Sequence, residues 1–446
     1  MRGGARPDAV ANQTGLQALG ERIDASGAKL GRRKSGKPRW SRRRKVLTFL
    51  GSFVVLALLV VAAGYGYVHY EFGRIQKAPC ADCTAVADGA PYNVLVIGSD
   101  TRVGETAAEA KEFGNSTDAG GQRSDTIKII HVDPKTGTAS VLSIPRDTFV
   151  TLSGVPASSG VSNPNKMNAA FAAGPNDPDP NGTGANGLVE TIQNTFGIPI
   201  SHWIVVNFFG LMDAVNALHG ISMDVPVPIR DYGDCNENGV YSNCTGLDIT
   251  TTGCQVISGT VALALSRSRH YEYYVDGQWQ SDGSGDIGRI ERQDLIIEAV
   301  VDKAKSTYNP FTAVQFISSL THDVTLDDKL NASTLFALAE RYHAFSGASL
   351  QTYTLPTTAG SYAPYSGESV EIVQEPQATT MITQFLGTAP EASTTPPLDQ
   401  YGNPQSTAVP PTTAAPVTGS SSPGTSTPAS TSTATTAIPS FDPRPC

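Results

Sequence analysis

The sequence predicts an α/β protein built on a layered sheet and preceded by one membrane-spanning helix. Three observations predict it. Short apolar runs alternate with helix-length amphipathic stretches from residue 92 onward, the pattern of strands and helices layered together. A strong hairpin lies near the centre, at Gly121–Val150. Twenty-three consecutive uncharged residues, Val46–Val68, come before either.

The uncharged run reaches about 34 Å as a helix, enough for a bilayer core of about 30 Å. Arg42–Lys45 abut its N-terminal side, so the positive-inside rule places the head in the cytoplasm and the body outside. A cleavable signal peptide is the competing reading, but its apolar core would be shorter. The overall net charge of −9 hides a division at this point. Residues 1–45 hold thirteen Lys/Arg and three acids, leaving 19 basic and 38 acidic residues for the rest. The membrane span accounts for the basic head without a nucleic-acid partner. The predicted organisation is a basic, disordered head (1–45), a transmembrane helix (46–68), a stalk (69–90), an exported domain (91–389) and a disordered Thr/Ser/Pro-rich tail (390–446).

Six cysteines follow the span, and an exported location permits disulfides. Cys235, Cys244 and Cys254 cluster, which predicts one pair among them. Cys80-x-x-Cys83 reads as a structural loop closure, having neither a second CxxC nor a βαβ context.

Tyr92–Gly98 is almost wholly apolar and predicts a strand buried on both faces. The hairpin strands are Thr126–Val132 and Ala139–Ile144, with the turn at Asp133–Gly137. Helices are predicted at Lys166–Ala173, Leu188–Phe196, Phe208–Leu218, Ser258–Leu265, Arg289–Ser306, from Pro310 to about Leu320, and Ala332–Phe345. Further strands are predicted at Trp203–Asn207, Ile221–Val225 and Leu350–Leu355.

Arg123 and Asp125 precede the first hairpin strand, and Arg146 and Asp147 follow the second. Antiparallel pairing gathers all four at one end of the sheet. Read alone, they are either structural bridges or a site for an anion and its counter-ion. Only eleven arginines follow Lys45, and seven fall in four short segments. These segments hold Arg102; Arg123 with Arg146; Arg267 with Arg269; and Arg289 with Arg292. Guanidinium forks match phosphate oxygens, so this restriction points to anion recognition. Arg267 and Arg269 share a side if their segment is extended. Arg289, Arg292 and Gln293 share a helix face by spacing. Asp100 and Asp125 end and begin neighbouring strands, a carboxylate pair suited to Mg²⁺. The alternative is that Asp100 caps a turn and Asp125 pairs with Arg123. Lys166 and Asn168 open the next helix, where anions bind. The seven histidines are scattered, and there is no Walker A or GxSxG motif.

Six stretches, in order, resemble the LytR–CpsA–Psr family of bacterial cell-envelope proteins. They are NVLVIGSDTR (93–102), RSDTIKIIHVDPKTGTASVLSIPRDT (123–148), KMNAAFA (166–172), FGIPISHWIVVNFFGLMDAVNALHGISMDVP (196–226), ALSRSRH (264–270) and GDIGRIERQ (285–293). The resemblance implies a three-layer α/β/α sandwich around a mixed sheet. It implies an apolar pocket for a polyprenyl pyrophosphate lipid at the cytoplasmic membrane. The activity it implies is a phosphotransferase that moves a glycopolymer phosphate from that lipid to a peptidoglycan hydroxyl.

Carried over by resemblance, Asp100 and Asp125 hold Mg²⁺, or Mn²⁺ in its place. Arg123, Arg146, Arg267, Arg269, Arg289 and Gln293 surround the pyrophosphate. Arg102, Lys166, Asn168 and Arg292 belong to the same polar mouth, and Asp147 either orients Arg146 or acts as a base. The head, cysteine-bearing excursion and tail resemble actinobacterial members, which implies arabinogalactan or a related polymer as cargo. A lipid pyrophosphatase and a non-catalytic scaffold for lipid-linked polymers are the competing functions. The exported topology argues against transcriptional regulation, which only the family's historical name suggests.

Overall fold

The computed structural model describes residues 69–99, 123–172, 181–234, 239–306, 323–330, 350–361, 369–399, 401–405 and 441–446, with isolated positions between and before them. The predicted spanning segment, the loop carrying Asp100 and Arg102, and the two predicted helices after Pro310 lie outside the described residues, apart from isolated positions in the span and the first of those helices. Among the described residues no helix is long and apolar enough to cross a membrane.

The central sheet has seven strands: β1 (Gln76–Ala78), β2 (Tyr92–Ser99), β3 (Ser124–Asp133), β4 (Thr138–Ile144), β5 (His202–Asn207), β6 (Val324–Asp327) and β7 (Gln351–Thr354). Their order is β1-β6-β5-β2-β3-β4-β7. β2, β3 and β4 run antiparallel in succession, while β5 lies parallel to β2 and β7 parallel to β4. The sheet is therefore mixed. Among the described residues, the helices α1 (Asn168–Ala172), α2 (Thr183–Phe196), α3 (Phe208–Ala217), α4 (Gly259–Arg267), α5 (Gly285–Ser306) and α6 (Gln377–Leu386) accompany it.

The hairpin forms as its sequence predicts. Asp133 closes the turn locally, its carboxylate accepting from Lys135 N and Thr136 Oγ1, both at 2.8 Å, and Gly137 takes the positive φ that follows. Ile127 faces Ile144 in the register, which brings Asp125 opposite Arg146 at the open end. Gly98 has no room for a side chain, because a Cβ would come within 2.8 Å of Thr126 Cβ. A register shift between Gly98 and Ser99 then ends β2 beside Ser124.

One side chain face of the hairpin, Ile127, Ile129, Leu142 and Ile144, enters a core with Phe171 of α1, Leu188 and Ile192 of α2, and Ile382 and Phe385 of α6. Lys128 faces the other way and reaches Asp294 of α5, so helices cover both faces of β3. A second core packs α3, α4 and α5 against the strands Ile221–Val225 and Ile229–Asp231.

Three expectations change here. Residues 69–90 are more than a stalk: Phe72 and Ile75 are buried, β1 joins the sheet, and Cys80–Cys83 is a buried disulfide. The loop-closure reading of that CxxC holds. The chain also keeps packing after residue 390. Glu391 N donates to Gly197 O, and Arg444–Pro445 pairs with Met223–Asp224. Cys446 is bonded to Cys254, across 192 residues of sequence, and Cys244 is also disulfide-bonded. Composition hides this packing, because a six-residue anchor carries little apolar signal of its own. Finally, Lys166 belongs to a two-residue strand, Asn165–Lys166, and the helix starts at Asn168.

Candidate active site

The open end of the β3–β4 hairpin gathers charge from three elements. Arg146 Nη1 donates to Asp125 Oδ1. Arg289, in the second turn of α5, donates through Nη2 to the Asp125 carbonyl at 2.9 Å. The same Nη2 lies 2.9 Å from Asp286 Oδ1, and Arg269 Nε lies 3.5 Å from that oxygen. Arg146, Arg269, Arg289, Asp125 and Asp286 thus form one connected cluster. Beside it, Asp147 sits 3.8 Å from both Arg146 Nε and Lys166 Nζ. Asn168 is buried there, its backbone N–H donating to the Arg146 carbonyl at 3.0 Å.

The electrostatics fit an anion. Burial opposes the Asp125 charge, but Arg146, Arg289 and Arg269 outweigh it and hold the carboxyl below its ordinary range. Burial also works against the Arg146 cation, yet Asp125, Asp147 and Asp286 raise its pKa. Arg289 is pushed down to about 10, first by burial and then by Arg269 and Arg146, with Asp286 and Asp125 opposing. All three stay charged at neutral pH. The Nε atoms of Arg146 and Arg289 and Oε1 of Gln293 are buried without a hydrogen-bond partner among the described residues. Buried donors normally have partners, so unmet guanidinium N–H groups in a cluster mark a place for an acceptor-rich ligand.

Several expected residues have surroundings of their own. Arg123 is exposed just before β3. Arg267 closes α4 instead of lying in an extended segment, and its guanidinium sits over the Phe208 ring at 4.9 Å. Gln293 donates to the Ser266 carbonyl at 3.0 Å, tying α5 to α4. Arg292 is the clear correction. It is fully buried, paired with Asp282 at 2.8 Å and Asp442 at 3.5 Å, bonded to the Ser268 carbonyl and stacked on Tyr271. Its i+3 spacing from Arg289 is compatible with one face, but α5 packs on two neighbours and the two arginines serve different ones. Asp100 and Arg102 lie outside the described residues.

Two acids that the arginine pattern overlooked belong to this mouth. Asp286 bridges Arg269 and Arg289; its signal is an acid in the first turn of α5, three residues before Arg289. Glu371 donates its backbone N–H to the Asp147 carbonyl at 2.9 Å. Burial pushes its carboxyl up, against a Thr357 hydrogen bond, and Asp286 and Asp147 add to the rise. Asp231, Cys244 and His270 have metal-like spacing, but the disulfide at Cys244 removes its thiolate.

Next to Arg292, burial pushes Glu291 up to about 7 and Asp442 up to about 6, with mutual repulsion contributing to Glu291. A raised carboxyl stabilises the fold below its unfolded pKa, and that contribution fades as pH rises through the folded value. Glu291→Gln is therefore expected to raise the melting temperature at pH 8 relative to wild type, with the gain shrinking toward pH 5.5. Scanning calorimetry across that range checks it.

The fold and cluster define an α/β protein with a cluster of arginines suited to an anion. The chain belongs to the LytR_cpsA_psr family, whose model matches residues 69–385. It is 28% identical over 342 residues to the probable cell wall biosynthesis protein LcpB of Corynebacterium glutamicum, covering 75% of this chain and 72% of that protein. It is 27% identical over 369 residues to the polyisoprenyl-teichoic acid–peptidoglycan teichoic acid transferase TagV of Bacillus subtilis, covering 79% and 82%. The solved LytR-Csp2A-Psr enzyme from Actinomyces oris shares the fold, with a TM-score of 0.51 at 22% identity over 71% of this chain and 97% of that one.

Proposed function

We propose that this protein is a phosphotransferase of cell-wall assembly, acting outside the cytoplasmic membrane to which its N-terminal segment anchors it. It moves a glycopolymer phosphate from a polyprenyl-pyrophosphate lipid to a peptidoglycan hydroxyl. The observation that carries this reading is the Arg146–Arg269–Arg289 cluster with its unmet N–H groups. Family membership and a relative named as a teichoic acid transferase support it.

In the proposed reaction the acceptor oxygen attacks the sugar-side phosphorus in line. The P–O bond to the lipid phosphate breaks, and its electron pair leaves on polyprenyl phosphate. Arg146, Arg269 and Arg289 stabilise the charge that builds on the phosphoryl oxygens. The hydroxyl proton passes to a carboxylate of the mouth. Asp147 lies between Arg146 and Lys166, 3.8 Å from each, so we assign it to orienting those two cations. Glu371, with its raised proton affinity, is the better acceptor.

The donor set also suits a hard divalent cation. Asp125 remains ionised, Arg146 uses Oδ1, and Oδ2 carries no further hydrogen bond among the described residues. Asp125 would hold Mg²⁺, with Asp100 as the second ligand that the family resemblance implies. The ion would supply further neutralisation of the pyrophosphate. Arabinogalactan or a related wall polymer is the proposed cargo.

Purified full-length protein in detergent, given lipid-pyrophosphate polymer and peptidoglycan, tests the reading. Coupled product supports transfer, phosphate release without coupling supports hydrolysis, and retention without turnover supports a scaffold. Chelation is expected to stop coupling and Mg²⁺ to restore it. Asp125→Asn should raise the Mg²⁺ requirement by about 10–100-fold. An unchanged requirement would move the metal away from Asp125.

A further inference from the structure

A second four-stranded sheet lies beside the charged cluster, formed by Ile229–Asp231, Asp248–Ile249, Tyr271–Val275 and Gln278–Ser281. Its inner face sends Ile229, Ile249 and Tyr271 into the second core, with Tyr273 packed against it. The outer face of such an antiparallel sheet is ordinarily polar. Here it carries a row of aromatic rings that continues onto the adjoining two-stranded sheet of Gly233–Asp234 and Tyr241–Ser242. Tyr241 lies 6.3 Å from Tyr232, centroid to centroid, and Arg230 stacks between Tyr232 at 4.4 Å and Trp279 at 4.1 Å. Trp279 continues to Tyr274 at 5.3 Å. Tyr232, Tyr241 and Tyr274 remain 37%, 64% and 40% exposed.

Cross-strand packing explains part of this row. Tyr274 faces Trp279 directly in the register, a pair that stabilises a hairpin. It does not explain Tyr232 and Tyr241, whose rings keep so much surface in water. The row's charge narrows what would cover it. Arg230 is already satisfied by Glu272, with Nη2 to Oε2 at 2.7 Å and Nε to Oε2 at 2.8 Å. Asp248, exposed opposite Arg230 in the register, adds a negative charge, so the aromatic face has no net positive charge: a poor surface for a polyanion and a good one for the flat C–H faces of pyranose rings. Tyrosine hydroxyls can meet the sugar hydroxyl and amide groups at the edges.

The row is also joined to the cluster. Tyr232 N donates to the His270 carbonyl at 2.9 Å, and the Asp231 carboxylate accepts from Arg269 N at 3.0 Å. The segment that presents Arg269 to Asp286 therefore also holds Tyr232 within the aromatic row.

We propose that this outer face is a glycan-binding platform that takes the acceptor: an uncharged stretch of β-1,4-linked amino-sugar strand in the wall. This rests on the transferase reading. The donor is held through its pyrophosphate by the guanidiniums. An acceptor strand offers only a neutral hydroxyl to that cluster and needs a surface of its own, running away from the reacting phosphorus. The aromatic row supplies one.

The probe is chitohexaose, an uncharged β-1,4-linked N-acetylglucosamine oligomer, titrated calorimetrically into full-length protein in detergent. Wild type and Tyr401→Ala, an exposed aromatic outside the row, are expected to bind it equally. Tyr232→Ala/Tyr241→Ala should bind about tenfold more weakly or worse, as expected for lost ring stacking, at an unchanged melting temperature. In the coupling assay the same double variant should raise the acceptor KM similarly, with the donor KM unmoved.

Binding lost in the double variant upholds the platform even if no transfer is found, in which case only the transferase reading falls. Normal transfer with an unchanged acceptor KM overturns the platform and leaves the transferase reading standing. No wild-type binding, equal binding by the double variant, preferential binding of an oligothymidylate, or a self-associated face that chitohexaose does not open would each overturn it.

Discussion

Arg146→Ala is expected to lower the rate of glycopolymer transfer by about 10²–10³-fold, the usual loss when one preorganised charge-stabilising donor is removed. Arg146 stands where the register of β3 and β4 brings it opposite Asp125, and it pairs with that carboxylate through one nitrogen. Its Nε is buried and unmet, so one donor is left over for a ligand. The alanine variant loses that donor and also leaves Asp125 with weaker neutralisation. Arg146→Lys should recover little, since an ammonium cannot hold Asp125 and a phosphoryl oxygen in the fixed geometry of a guanidinium. The comparison is kcat on lipid-pyrophosphate donor for the three proteins, with circular dichroism melts to show that the fold persists. Near-wild-type turnover in Arg146→Ala would remove the cluster from the chemistry.

The largest expected stability effect lies beneath the site. Lys128, in the middle of β3, is buried with its Nζ 2.5 Å from Asp294 and 2.7 Å from Ser143 Oγ. Burial pushes the Lys128 ammonium down, Asp294 pulls it back up, and Arg289 adds repulsion. Lys128→Ala strands the Asp294 carboxylate and should cost about 3–5 kcal/mol in urea unfolding. Lys128→Met/Asp294→Leu, which removes both charges, should regain most of that loss. Because Asp294 lies on the helix that carries Arg289, the single variant should also lose turnover beyond its unfolded fraction. A single variant as stable as wild type would show that the pair does not hold α5 against the sheet.

Most of the sheet's centre could be read from the sequence, because its signals are local. The apolar run at Tyr92–Gly98, the turn at Asp133–Gly137 and the two hairpin strands each fix their own geometry. Antiparallel pairing then brings Asp125 and Arg146 together without further information. Lys128 shows where local reading stops. A lysine between Ile127 and Ile129 looks like the wet side of a strand until α5 covers that side and supplies Asp294. Arg292 fails for a related reason: helical spacing states which side chains are neighbours, not which partner covers them, and Tyr271, Asp282 and Asp442 come from distant segments. Asp286 was within reach of sequence reasoning, as an acid placed to pair with Arg289. A search for cations alone passes over the anions that hold them apart. Docking of residues 441–446 depends on Cys254–Cys446, a pairing that six cysteines do not reveal.

The most direct test of the central proposal follows one phosphorus atom. Donor lipid carrying ³²P only in the sugar-side phosphate is incubated with full-length protein and peptidoglycan, and label is measured in the washed wall fraction and in the lipid extract. The account predicts that label enters the wall in a phosphodiester, in step with the sugar, while unlabelled polyprenyl phosphate accumulates. Label remaining in the lipid, or appearing as free phosphate or soluble sugar phosphate with none in the wall, would contradict it.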